Sequence, residues 1–131
     1  MRIVTGYDEK ILKAIAKKSG NRQLVEDVSY MRAVNFRSPE KLYCERLEDR
    51  AFYGGQYNKD YFKLICIGVA KEHQGKGYGR FLLKRALENA KKAGYSVART
   101  RTNSGADFYA KWGGAYVIGI IGEDWLMEFK I

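Results

Sequence analysis

Residues 74–79 read Gln-Gly-Lys-Gly-Tyr-Gly, a string whose chemistry lies in its backbone. Glycine has no Cβ and reaches positive φ, so alternating glycines let the chain curl and turn several N–H groups into one concavity. A helix beginning directly behind adds partial positive charge at its N-terminus, and the two devices together suit a phosphate. Two nucleotide-binding patterns are excluded. A P-loop needs Gly-x-x-x-x-Gly-Lys followed by Ser or Thr, whereas Lys76 precedes Gly77. A dinucleotide fingerprint needs Gly-x-Gly-x-x-Gly, whereas the spacing here is Gly-x-Gly-x-Gly. Taken alone, the hexapeptide also suits a plain glycine-rich turn.

The other chemistry-bearing residues are sparse. Cys44 and Cys66 lie in strand-like runs with no CxxC spacing and no histidine partner, which argues for buried reduced thiols rather than metal or redox work. The one histidine, His73, stands beside Glu72 at the edge of the glycine loop.

Positioning that loop requires a strand before it and a helix after it. The apolar run Leu64 to Val69 supplies the first, and an amphipathic stretch from Arg80, with Leu83, Ala86, Leu87 and Ala90 on one face and Gly94 as a stop, supplies the second. Upstream, residues 2–5 read as a short strand, and Asp8 opens a helix striped by Ile11, Leu12, Ile15 and Ala16 that ends at Gly20. Leu24, Val25, Val28, Met31 and Ala33 predict a second helix, stopped by Ser38-Pro39. The period then changes to that of strands at 41–47, 50–57 and 61–70, with Gly54-Gly55 as an alternative hairpin turn. Downstream come a strand at 95–102, parallel to 61–70 if the helix crosses over between neighbours, a short helix at 106–112, and closing strands at 115–121 and 125–131. The expectation is one α/β domain over residues 1–131, its sheet mostly antiparallel with one parallel pair.

Length and charge set further bounds. At 131 residues with 46% hydrophobic side chains, the chain is sized for one core. It has no apolar stretch of the roughly 18 residues a membrane helix needs, and its first residues lack a signal peptide's apolar run, so a soluble cytoplasmic protein with no membrane partner is expected. The formal net charge is +9, and residues 63–101 hold 10 basic and 2 acidic side chains, against 12 and 9 before them and 2 and 4 after. The excess surrounds the glycine loop and its helix, which favours a small polyanion over nucleic acid as ligand.

The ordered set of Leu64 to Val69, the loop 74–79, the amphipathic helix, the strand ending at Thr102, and Phe108-Tyr109-Ala110-Lys111-Trp112-Gly113 resembles the GNAT superfamily of acetyl-CoA-dependent N-acetyltransferases. The resemblance covers residues 61–116. It implies a GNAT-like mixed sheet with one parallel, splayed strand pair and helices on both faces. It also implies acetyl-CoA as cosubstrate, no metal, and direct acetyl transfer to an amine in a ternary complex. By the same resemblance, the backbone of Ile67, Gly68 and Val69 would pair with the pantetheine arm. Gln74, Gly75, Lys76, Gly77, Tyr78, Gly79 and Arg80 would hold the phosphates, Asn103 would reach the cofactor, and Tyr109 would protonate the departing thiolate. Two positions depart from family habit. Thr102 stands where many members have Asn, and Lys63 stands where histone-type members have a Glu base.

The acceptor is not legible. Glu45, Tyr43, Tyr53, Glu123 or Asp124 could deprotonate an amine through water, and Tyr30, Tyr43, Tyr53, Tyr57 and Trp125 are candidate acceptor contacts. A small-molecule, peptide or protein amine is expected. The alternatives are acetylation of aminoacyl-tRNA in the manner of GNAT-type toxins, and a nonenzymatic acyl-CoA-sensing or nucleic-acid-binding module. A monomer or a homodimer fits either reading.

Overall fold

The computed structural model describes residues 2–131. In chain order the elements are β1 (Ile3–Thr5), α1 (Glu9–Lys18), α2 (Arg22–Arg37), β2 (Leu42–Leu47), β3 (Ala51–Tyr57), β4 (Phe62–Val69), α3 (Tyr78–Lys92), β5 (Val97–Thr102), α4 (Ala106–Gly113), β6 (Tyr116–Ile121) and β7 (Asp124–Lys130). The strands form one seven-stranded sheet in the order β1-β2-β3-β4-β5-β7-β6, in which only β4 and β5 run parallel. The fold is therefore the mixed, mostly antiparallel α/β sheet expected from the sequence, with helices on both faces.

Local chemistry explains the element boundaries. Asp8 accepts a hydrogen bond from Ile11 N–H and Asn21 from Gln23 N–H, so a side-chain oxygen caps the start of each of the first two helices. α2 buries Leu24, Val28, Met31 and Val34. Its stripe continues through Val34 rather than the expected Ala33, which is exposed. Gly54 and Gly55 lie inside β3, where Met31 and the Phe62 ring occupy the space a Cβ would need, so they mark close packing instead of a hairpin.

Each sheet face buries its own core. Leu12, Ile15, Leu24, Val28, Met31, Phe52 and Ile65 pack beneath α1 and α2, while Leu82, Leu83, Ala86 and Ala90 of α3 close over Tyr53, Phe62, Leu64, Met127 and Phe129 on the other face. β6, the last strand of the sheet, carries exposed Val117, Ile118, Ile120 and Ile121. Among the described residues no helix is long and apolar enough to cross a membrane.

Candidate active site

The parallel pair is short and then opens. β4 pairs with β5 only over Phe62↔Ala98, Lys63↔Arg99 and Leu64↔Thr100. Beyond Leu64, β5 stays with β7 as far as Thr102↔Trp125, while β4 stays with β3 as far as Val69↔Ala51. At the parting, the Thr100 hydroxyl donates to the Leu64 carbonyl at 2.9 Å, satisfying a buried acceptor where the strands separate.

A bulge in β4 decides what the open edge offers. Gly55 lies opposite Leu64 and Gly54 opposite Cys66, so Ile65 is an extra residue without a counterpart. Ile65 and Cys66 consequently both pack toward α1 and α2, after which Ile67 and Val69 return to the α3 side. Ala70 N–H donates to Arg50 C=O at 2.9 Å, and strand backbones alternate sides, so Cys66 and Gly68 also aim at β3. Ile67 and Val69 aim theirs into the gap. Gly68 lines the same cleft, and Leu24 and Phe52 occupy the position of a would-be Cβ there, so only glycine fits this close packing.

The loop is moored to this edge. Gln74 Nε2 donates to the Val69 carbonyl and to the Ser19 carbonyl at the end of α1, each at 3.0 Å. The Gln74 side chain lines the cleft and is at the same time a latch joining α1, β4 and the loop. Gly75 (φ +79°) and Gly77 (φ +84°) adopt left-handed conformations with open space around them, as the glycine pattern predicts. Gly77 is the N-cap of α3 and makes no side-chain cap bond, leaving first-turn amides without helical partners. Gly79 is already helical and borders the cleft below the Phe108 ring. Lys76, Gly77, Tyr78 and Arg80 line a second groove of about 860 Å³ beside α3. There the Arg80 guanidinium lies 4.4 Å from the Trp112 ring centroid.

Between the splayed strands, the loop, α2 and the β5–α4 turn lies a cleft of about 780 Å³. Tyr109, on α4, lines it and is 8% exposed, held edge-on between Phe108 and Phe129. Burial raises its pKa well above the ordinary tyrosine value, and nearby Cys66 and Asp27 push the same way against a hydrogen bond with Thr100. It therefore stays a phenol, able to donate a proton. Asn103 lines the cleft in the turn before α4, and Thr102 Oγ1 accepts from Gly105 N–H at 2.8 Å to shape that turn.

The proposed bases separate cleanly. Glu45, 2% exposed, faces α3 and is enclosed by Arg85 (3.0 and 2.7 Å), Tyr53 (2.8 Å) and Asn89 (2.7 Å). Burial alone would raise its pKa, but these donors outweigh burial and hold the carboxyl below the usual range. Tyr43, Tyr53 and Tyr57 belong to that same face and do not line the cleft. Asp124 does line it, paired with Arg101 at 2.7 Å, and so does Tyr30, which donates to Gln56 at 2.7 Å and accepts from Lys63 at 3.2 Å. Glu123 and Trp125 stand outside it.

A cleft carboxylate with only a faint signal in the sequence completes the lining. Asp27 of α2 lines the cleft with a single hydrogen bond, from Gln23 Nε2 at 3.2 Å, and burial lifts its pKa to about 6. Its signal was a carboxylate one position before Val28 and three after Leu24, at the margin of the buried stripe.

A family profile described as "Acetyltransferase (GNAT) domain" matches residues 45–113. No curated protein sequence matches the chain. Among solved structures, the fold is similar to PaiA N-acetyltransferase from Thermoplasma acidophilum in complex with coenzyme A, at TM-score 0.76 and 21% identity over 100% of both chains. It is similar to an aminoglycoside 6'-N-acetyltransferase complexed with coenzyme A at TM-score 0.72 and 15% identity, covering 99% of this chain and 97% of that one. The ribosomal-protein-S18-alanine N-acetyltransferase from Escherichia coli gives TM-score 0.71 at 15% identity, over 99% and 94% of the two chains. At these identities the likeness is one of fold.

Proposed function

The chain belongs to the GNAT acetyltransferase family, and from that premise we propose that it transfers the acetyl group of acetyl-CoA to a primary amine by direct attack in a ternary complex. The observation that carries this reading is the convergence of an unpaired strand edge, a glycine loop at a helix N-terminus and a buried phenol on one cleft. The donor set fits the cosubstrate. Ile67 and Val69 would offer backbone groups to the pantetheine amides, the amides of residues 75–79 would receive the pyrophosphate, and Lys76 and Arg80 would add charge toward the 3′-phosphate. Asn103 stands near enough to the cleft floor to assist.

The amine nitrogen attacks the thioester carbonyl, the C–N bond forming as the C–S bond breaks. Tyr109 gives its phenolic proton to the departing sulfur, whose thiol form has an ordinary pKa of about 8.5, and the proton shed by nitrogen restores the phenol. Calorimetry with acetyl-CoA, followed by thiol release across a panel of primary amines, tests the assignment. Binding heat, a raised melting temperature and thiol release with at least one amine are expected. Neither heat nor thermal shift with acetyl-CoA would sink it.

A second reading places the amine on RNA, as in aminoacyl-tRNA. What favours it is the groove lined by Lys76, Arg80, Lys84, Phe81 and Trp112, which pairs cations with exposed aromatic rings. Salt-dependent binding of tRNA distinguishes the two.

A further inference from the structure

We propose that Asp27 is a catalytic residue of this cleft, taking the proton from an acceptor that arrives as an ammonium ion. The inference rests on the acetyl-transfer reading above and adds to it the missing base and the charge state of the substrate.

Asp27 lies on α2, across the cleft from Tyr109 on α4, and both line it. They are near enough that the Asp27 charge helps keep Tyr109 protonated. The groups facing Asp27 come from three elements: Gln23 and Glu26 on α2, Lys63 and Cys66 on β4, and Asp124 on β7. None forms an ion pair with it, and the Lys63 charge lowers its pKa by less than burial raises it. Gln23 donates its one hydrogen bond, Asp124 is paired with Arg101, and Lys63 is bonded to Tyr30 with its ammonium 4.3 Å from that ring's centroid. A cleft carboxylate with no contact ion pair favours an incoming cation. Burial sets its pKa near about 6, so that it is mostly ionised at neutral pH yet basic enough to accept a proton. Asp27 and Tyr109 thus divide the work as a base and an acid with separated pKa values on opposite walls of one cleft.

The proton balance closes. An alkyl ammonium of pKa about 10.4 passes one proton to the Asp27 carboxylate, which releases it to solvent between turnovers. The neutral amine forms the C–N bond as the C–S bond breaks, and Tyr109 returns one proton to sulfur while regaining the one nitrogen sheds.

The experiment compares wild type, Asp27→Asn and Asp27→Glu with acetyl-CoA and n-butylamine, or the best amine of the panel, across pH 5 to 10. Wild-type kcat/KM is expected to rise through about pH 6 and level off. Asp27→Asn should bind acetyl-CoA unchanged, lose roughly 100-fold at pH 7, lack the limb near pH 6 and recover toward pH 10 as free amine accumulates, with Asp27→Glu partly restoring the limb. Carboxyl 13C NMR should show one resonance titrating near about 6 that is absent from Asp27→Asn. An active Asp27→Asn variant within twofold of wild type, or one retaining the limb, overturns the inference while leaving acetyl transfer standing. An inactive wild type across the whole panel overturns both.

Discussion

Glu45 and Asp27 are carboxylates turned inward on opposite sides of the same sheet, and their surroundings differ in kind. Glu45 accepts from a guanidinium, a phenol and an amide within 3.0 Å, three bonds on Oε1 and one on Oε2. Asp27 has one amide donor at 3.2 Å and a cleft in front of it. Donors push the first carboxyl down and burial pushes the second up. A saturated carboxylate fastens β2 to α3 and has no capacity left for a substrate, whereas an under-satisfied one retains its capacity at some expense of stability.

The largest expected effect breaks the fastening. Glu45→Ala strands Arg85, Tyr53 and Asn89 and should destabilise by about 3 kcal/mol, measured as a denaturant midpoint shift. A change under about 1 kcal/mol would mean the network is solvated and the contrast false. Because donors hold Glu45 low, its contribution is present above the unfolded glutamate pKa and is lost as pH falls through the lowered folded value. Acid denaturation of wild type should therefore include a transition that Glu45→Ala lacks.

Tyr109→Phe sharpens the comparison from the cleft side. The ring keeps its edge contacts with Phe108 and Phe129, so the melting temperature should move little, while thiol release falls about 100-fold. Unchanged turnover would remove the phenol from the mechanism.

Asp27→Asn should have the opposite stability sign to Glu45→Ala. The folded pKa of about 6 exceeds the unfolded value of about 3.9, so the native state holds this proton more tightly. Its contribution is complete below the unfolded pKa and is lost as pH rises through about 6. At pH 8 the asparagine variant should gain about 1 kcal/mol, less than the full shift implies because the site is partly solvated, and the gain should vanish near pH 4. Chemical denaturation at the two pH values decides it.

The smallest effect concerns the latch. Gln74→Ala removes two hydrogen bonds in an exposed loop and should cost about 1 kcal/mol or less, with acetyl-CoA affinity falling a few-fold because the loop is no longer moored to Val69 and Ser19. Isothermal titration reads the affinity.

Much of the arrangement is legible in the sequence. Helical and strand periods located every element within a few residues, because each has one buried face, and glycine spacing placed the left-handed turns at Gly75 and Gly77. What stayed hidden depends on distance along the chain. Glu45 looked like a free base because Arg85 and Asn89, some forty residues away, carry no local sign of pairing with it. Asp27 went unnoticed because an apolar stripe reports which residues face the core but not which polar neighbour overlooks a cleft. The Ile65 bulge is invisible because all of Leu64, Ile65, Cys66 and Ile67 are apolar, so no alternation shows the skipped register. Sheet order was hidden too: β7 inserts between β5 and β6, against the sequence of the chain.

That bulge makes the cleft a matter of parity. β4 spends eight residues where β3 spends seven, and the surplus residue inverts which neighbour every later peptide addresses. Paired one to one without the bulge, the same residues would turn the peptides of Cys66 and Gly68 to the gap in place of those of Ile67 and Val69. The groove is written in the register of a strand rather than in the identity of its residues, so a chain could keep every side chain named above and still lose it by one step.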